Sequence, residues 1–192
     1  MNTDYDQVFV NYLLDLKKKE NRGALAALRS GLGKKPGEST LMFPYIARFL
    51  PHNADPGTSS VQSIFLTASL FATHPEHKHN DSGADAERKY RDSLGASLRK
   101  AVEAKHGEEG VSKRLVAALD AHPDDLARHL AGLVSLCESA RVPIDWIQFR
   151  KDAENLLSTN EDWRDKTRLR WARGFWASAT ANDSHTPEGE NS

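Results

Sequence analysis

Hydrophobic side chains recur at helical spacing along almost the whole chain. Near the amino terminus, Val8, Phe9, Tyr12, Leu13 and Leu16 fall on one face of a helix. Later segments repeat this spacing of three and four, and no stretch alternates between apolar and polar residues for the length of a strand. The sequence therefore predicts an all-α fold with eight or nine helices, which form two small packed helical bundles.

Capping residues, prolines and glycines predict where the helices begin and end. Asn21, Thr58 or Ser59, and Asn160 are typical N-caps, and Pro51 ends the helix before it. Pro123 and Pro143 are expected in the first turn of their helices, where proline is tolerated. The helices predicted after the first cover 21–32, 40–50, 58–70, 84–105 with a possible break at 93–95, 111–121, 123–140, 143–157 and 160–176.

The 192 residues fit one domain or two very small ones. The polar segment 74–83 is the predicted seam between an N-terminal bundle, 1–80, and a C-terminal bundle, 81–178. Residues 179–192 are rich in small polar and acidic residues, which predicts a disordered tail. The lone cysteine, Cys137, excludes an internal disulfide framework.

The net charge of −1 hides an uneven distribution of charged residues. Between residues 17 and 50 there are eight basic and two acidic residues, a net charge of +6. Residues 86–114 have a net charge of +3 and residues 161–176 a net charge of +2. Basic clusters in a near-neutral chain indicate a polyanion-binding face.

Helical spacing arranges these cations in three stripes. Arg22 and Arg29 share one face of the second helix. The second stripe comprises Arg88, Arg91, Gly95 and Arg99, and the third comprises Lys166, Arg170 and Arg173. A glycine between arginines would let a phosphate backbone approach closely. The alternative, typical of charge runs, is that these are solvated helix faces with local ion pairs.

No complete catalytic or metal-binding motif emerges from the sequence. His74, His77 and His79 could ligate zinc or nickel, but nothing completes the site, so a polar loop is favoured. The glycine- and lysine-rich segment 31–37 matches neither the P-loop pattern nor the glycine pattern of dinucleotide-binding folds. Cys137 occupies an apolar helix position and is interpreted as a core residue. We therefore expect no enzyme activity, no metal and no cofactor.

Four segments of the chain together resemble a known family. They are 22–33 (RGALAALRSGLG), 93–100 (SLGASLRK), 114–120 (RLVAALD), and 144–146 (IDW) with 170–176 (RWARGFW). Their order and separations are similar to those in the small subunit of the type I-E CRISPR surveillance complex, Cascade, which is the CasB family. The resemblance covers roughly residues 8–176.

The resemblance implies an all-helical, non-catalytic subunit that occurs in two copies and holds the guide RNA–target DNA hybrid and the displaced strand. It implies as partners the guide RNA, the target DNA, the large and backbone subunits, and a second copy of the chain. With the charge pattern, it gives these candidate nucleic-acid-binding residues: Lys18, Arg22, Arg29, Lys34, Lys35, Arg91, Arg99, Lys100, Arg170 and Arg173.

Two other interpretations stay open at the level of sequence. One is a helical adaptor or nucleic-acid-binding regulator outside CRISPR, although no helix-turn-helix pattern with a short glycine turn supports it. The other is an enzyme, which would need a metal at the three histidines. The single cysteine, the polar start of the chain and the lack of a long apolar run predict a cytoplasmic protein without a membrane partner.

Overall fold

The computed structural model of the chain describes residues 3–78 and 92–177. Within these residues the fold is all-α, as the sequence predicts. The α-helices are α1 (Thr3–Lys18), α2 (Arg22–Arg29), α3 (Phe43–Ile46), α4 (Ser59–Thr73), α5 (Leu94–Ala104), α6 (Glu108–Leu119), α7 (Pro123–Ser139), α8 (Trp146–Leu157) and α9 (Glu161–Ala172). Short 3-10 turns flank α3 (Thr40–Met42 and Ala47–Phe49), and a π-helical turn (Arg173–Ala177) follows α9.

The three predicted N-caps are confirmed. The Asn21 side chain accepts a hydrogen bond of 3.0 Å from the backbone N–H at the third position of α2. Thr58 caps α4 in the same way at 3.4 Å, and Asn160 caps α9 at 3.2 Å. Each cap satisfies a backbone donor that the first helical turn leaves without a partner, so these helices begin where the sequence predicts.

The helix start predicted at Pro143 was wrong. This helix begins at Trp146, because the Asp145 carboxylate caps the backbone N–H groups of the two residues after Trp146, both at 3.0 Å. Of the helix expected over 84–105, the structure describes α5, which begins after the capping residue Ser93, within the predicted break. Residues 84–91 of that prediction lie outside the described residues, as does the predicted tail.

The face that α1 turns toward the core is offset from the predicted one. Phe9, Val10 and Leu13 are fully buried, whereas Val8 is 53% exposed. Tyr12 is only partly buried, and its ring packs against Phe49 in the turn after α3. The apolar spacing predicts the helix correctly but not the exact direction of its buried face.

Helix α8 lies at the centre of the described fold. It packs against α1, α4, α7 and α9. Buried side chains from before and after residue 80 form one continuous cluster around it. The division into bundles at 80/81 stays a prediction, since residues 79–83 of the predicted seam are outside the described residues.

The segment 74–78 is a docked strap, not the solvated loop that the sequence predicts. His74 is buried and its Nε2 lies 2.7 Å from the carbonyl oxygen of Val142. The backbone N–H of Trp146 donates to Nδ1 of His77 at 3.3 Å, and the indole N–H of Trp146 donates to the carbonyl of Glu76 at 3.1 Å. This strap ties the end of α4 to the start of α8.

Candidate nucleic-acid interface

Six cations lie exposed in the segment that joins α1, α2 and the following loop. We call them the N-terminal basic surface: Lys18, Lys19, Arg22, Arg29, Lys34 and Lys35. α1 ends at Lys18, and Glu20 turns the chain into α2 through a positive φ of 50°. The eight residues of α2 span only about 12 Å, so both ends of the surface stay close.

The charge of this surface is not compensated by neighbouring carboxylates. Among the described residues, none of its six side chains forms an ion pair, whereas the adjacent Lys17 pairs with Glu76 at 2.9 Å. The hydrogen bond to Lys17 lowers the pKa of Glu76, so this pair persists as two charges. Glu38 accepts the backbone N–H of Lys35 at 3.0 Å, so its carboxylate lies beside the surface without pairing with a lysine ammonium group. The surface therefore presents six cations that form no ion pairs among the described residues.

Arg29 has a structural contact in addition to its exposed position. Its Nε and Nη2 donate to the carbonyl oxygen of Ala72, at 3.2 and 2.7 Å. Ala72 lies in the last turn of α4, where carbonyl groups lack helical partners. Arg29 therefore also ties α2 to α4, whereas the side chain of Arg22 makes no such contact among the described residues.

In the second stripe, the space beside the glycine is filled by another part of the protein. Gly95 is buried, and a methyl group at this position would come within 2.8 Å of the carbonyl carbon of Trp171. The expectation that this glycine admits a phosphate backbone is therefore wrong, because the backbone at the end of α9 fills that space. Arg88 and Arg91 of this stripe lie outside the described residues.

The positive charge of Arg99 is compensated by two nearby carboxylates. It pairs with Glu103 at 3.3 Å and with Glu108 at 3.0 Å, and its side chain is only 15% exposed. Burial works against its charge, but the hydrogen bonds to Glu108 and Glu103 prevail and raise the pKa of Arg99. Its neighbour Lys100 is exposed and forms no ion pair among the described residues.

The third stripe is split between a buried network and an exposed face. Arg170 is hydrogen-bonded to the fully buried carboxylate of Asp152, which also accepts from the indole of Trp171 at 2.6 Å and from Gln148 at 2.7 Å. Burial raises the pKa of Asp152 to about 6, and Arg170 opposes this shift. The side chain of Arg170 is 11% exposed, whereas Lys166 and Arg173 are exposed.

Two features of the charged framework escaped sequence reasoning. Arg150 is fully buried between Asp6, at 3.7 Å, and Glu154, at 2.5 Å, and so ties α1 to α8. Arg141 is exposed just after α7, with a φ of 55°, and it lines an open cleft beside Glu76. Arg141 could have been singled out from the sequence, because it directly follows the helix predicted over 123–140. Nothing local distinguishes Arg150 from a surface arginine.

The described residues show no metal-binding cluster. No group of three histidine, cysteine, aspartate or glutamate side chains is placed to hold a metal ion there. His74 and His77 make the strap contacts, and His79 lies outside the described residues. Cys137 is a core residue, as predicted, and burial raises the pKa of its thiol to about 12. None of the described helices combines the length and apolar character needed to cross a bilayer.

Relatives of the chain are found by sequence and by fold. The sequence model of a family described as CRISPR-associated protein Cse2 matches residues 24–176. A CRISPR-associated protein Cse2 from Thermus thermophilus is 27% identical over 184 residues, covering 95% of this chain and 96% of the relative.

Solved structures share the fold. A crystal structure of CasB from M. ruber superimposes with a TM-score of 0.72 at 24% identity, covering 94% of this chain and 97% of the other. A chain of a CRISPR RNA-guided surveillance complex gives a TM-score of 0.71 at 23% identity, covering 94% and 98%. The family match spans most of the sequence and includes three of the four motif segments in full, which confirms the resemblance, and the chain therefore belongs to the CRISPR-associated protein Cse2 family.

Proposed function

We propose that this chain is a non-catalytic, nucleic-acid-binding subunit of a type I-E CRISPR RNA-guided surveillance complex, acting in antiviral defence in the cytoplasm. Membership of the Cse2 family supports this role, and so does the fold shared with a chain of a solved RNA-guided surveillance complex. Its task is to stabilise the guide RNA–target DNA hybrid and the displaced strand.

The observation that carries the proposal is the uncompensated charge of the N-terminal basic surface. Six exposed cations without carboxylate partners among the described residues suit a polyanion, and they are spread over two helix ends and the lysine pair of the following loop. Contacts of this kind go to phosphates and carry no sequence information. That suits an RNA-guided complex, in which base pairing reads the sequence and the protein holds the backbone.

The candidate residues divide into two roles under this proposal. The exposed ones contact phosphates: Lys18, Arg22, Arg29, Lys34, Lys35, Lys100 and Arg173. Arg99 and Arg170 form ion pairs with carboxylates, and their main role is to hold α5 and α9 in place. Arg91 remains a candidate from sequence alone.

The proposal includes protein partners as well as nucleic acid. We propose that the chain assembles with the large subunit, the backbone subunits and a second copy of itself, along the guide RNA and target DNA. This follows from the family resemblance, and the complex is the setting in which individually weak phosphate contacts add together.

The test is the dissociation rate of target duplex from a reconstituted complex. A variant carrying Arg22→Ala, Lys34→Ala and Lys35→Ala is compared with Lys113→Ala, an exposed lysine already paired with Glu109 at 2.6 Å. The triple variant is expected to assemble and melt like the wild type but to release duplex faster, and the control to behave like the wild type. An unchanged dissociation rate in the triple variant would contradict the proposal. Nucleic-acid binding without assembly into the complex would instead favour a regulator outside CRISPR.

A further inference from the structure

We propose that the exposed indole of Trp163 on α9 stacks on unpaired bases of single-stranded nucleic acid. Lys166 and Arg173, on the same helix face, hold the adjoining phosphates. The inference rests on the proposed function, which it deepens by naming a single-strand contact and the residue that makes it.

The position of Trp163 sets the geometry of this site. Trp163, Lys166, Arg170 and Arg173 follow one another at i, i+3, i+7 and i+10, which places them along one face of α9 and the turn after it. Lys166 lies about one turn, roughly 4.5 Å along the axis, from Trp163. Trp163 therefore begins the stripe of cations and forms a mixed aromatic and basic face with them.

Trp163 differs from the two buried tryptophans in having no visible structural role. Trp146 and Trp171 are fully buried, and each donates its indole N–H, to Glu76 and to Asp152 respectively. Trp163 is 50% exposed, and among the described residues no ring, cation or hydrogen-bond acceptor engages its indole. The indole is therefore open to a ligand, and an aromatic side chain beside cations is the combination that binds single-stranded nucleic acid.

The charges around Trp163 favour an anionic ligand. Glu161 pairs with Arg164 at 3.6 Å and Asp165 pairs with Arg168 at 3.0 Å, so both carboxylates are neutralised on the flanks of α9. Asp162 is the remaining carboxylate near the indole, and it lies in the first turn, where the helix dipole partly offsets its charge. Lys166, which is exposed and forms no ion pair among the described residues, then sets the sign of the exposed face.

Stacking requires a strand whose bases are not already paired. In a duplex both faces of each base are covered by its neighbours, whereas an exposed base of a single strand offers its π-face to an indole. Such stacking tolerates any base, which is compatible with a subunit that does not read sequence. The ligand class is therefore single-stranded DNA or RNA of any sequence.

The experiment measures binding of a fluorescently labelled oligo(dT) and of a labelled duplex to the full chain at low salt. Trp163→Ala is expected to weaken oligo(dT) binding roughly tenfold, with duplex binding changed less than about twofold. Trp163→Phe, which keeps an aromatic face, is expected to retain most of the affinity. Leu169 is 65% exposed on the same helix, so Leu169→Ala probes whether this face packs on a protein. Val116→Ala removes a 44% exposed apolar residue from α6 and is the control, expected to bind as the wild type does.

A second readout is the intrinsic fluorescence of the protein. Oligo(dT) is expected to quench the wild type, and Trp163→Phe to reduce that quenching, since Trp146 and Trp171 are buried and Trp176 is partly buried. Asp162→Asn is expected to tighten oligo(dT) binding severalfold by removing the carboxylate that precedes Trp163 in the first turn of α9.

The possible failures separate the inference from the proposed function. If Trp163→Ala binds oligo(dT) like the wild type while duplex binding persists, the stacking site is wrong and the proposed function stands. If the wild type binds neither ligand even at low salt, nor retains duplex within the complex, the proposed function fails. If Trp163→Ala and Leu169→Ala both impair assembly while oligo(dT) binding is unchanged, the face is a protein interface and the inference is overturned.

Discussion

The N-terminal basic surface and the α5–α9 region both carry clustered cations but use them differently. In the first, no carboxylate pairs with Lys18, Arg22 or Lys34 among the described residues. In the second, Arg99 and Arg170 are largely buried against carboxylates. The first region therefore offers its charge to a ligand, whereas in the second Arg99 and Arg170 hold helices together and Lys100 and Lys166 stay exposed.

The difference shows that a stripe of cations at helical spacing does not define a binding face. What decides is whether an acidic side chain from another turn or another helix comes within reach. For an exposed pair, that contact is worth little and a ligand can compete for the cation. For a buried pair such as Arg170 and Asp152, breaking the contact leaves a charge without a partner in a region of low dielectric.

The largest expected effect comes from removing Asp152. Asp152→Ala leaves Arg170 and the indole N–H of Trp171 without their acceptor, and we expect a loss of about 3–5 kcal/mol in the free energy of unfolding. Chemical denaturation measures it. Lys166→Ala, on the exposed side of the same helix as Arg170, should change stability by less than about 0.5 kcal/mol. Equal losses of unfolding free energy in the two variants would show that Arg170 and Lys166 do not divide into a buried and an exposed part of this stripe.

A similarly sharp contrast is expected between two glycines. Gly95→Ala forces a methyl group against the backbone of Trp171, which cannot move like a flexible side chain, so we expect a destabilisation of about 3 kcal/mol or more. Gly132 is exposed within α7 with no heavy atom near its missing Cβ. Gly132→Ala should stabilise the fold by about 0.5–1 kcal/mol. Thermal melting of both variants tests the pair, and a tolerated Gly95→Ala would contradict the close packing of α5 on α9.

The pH dependence of stability sharpens the same comparison. Burial raises the pKa of Asp152 from 3.8 to about 6, so between these values the folded chain holds a proton that the unfolded chain has released. The contribution of this group to stability is therefore present at low pH and is lost as the pH rises through about 6. We expect the wild type to gain stability relative to Asp152→Asn when the pH falls from about 7 to about 5, measured by urea denaturation. A difference that does not depend on pH would show that Asp152 does not titrate in this range.

The features that the sequence predicts well are those decided within a few residues. Asn21, Thr58 and Asn160 cap the turn that immediately follows them, so each helix start is a local property. The exposed cations of the first stripe are also local, because the buried residues of α2, Ala24 and Leu28, lie on a different face of the helix. Family motifs extended this information to the fold as a whole.

The features that the sequence could not reveal depend on contacts between distant residues. Asp152 lies 18 residues before its partner Arg170, and His77 lies 69 residues before the backbone N–H of Trp146 that it binds. Gly95 admits the backbone of Trp171 from another helix. Each of these side chains has an equally plausible solvated role in the sequence, and only the tertiary packing selects between them.

The most direct test of the central claim is the salt dependence of duplex binding by the full chain. The claim is that the uncompensated N-terminal basic surface, and not the balanced Arg99, supplies the phosphate contacts. Replacing Arg22, Lys34 and Lys35 with alanine should lower the slope of log affinity against log salt by about one unit for each lost contact. Arg99→Gln should leave the slope nearly unchanged. An unchanged slope in the triple variant, or an equal reduction from Arg99→Gln alone, would contradict the account.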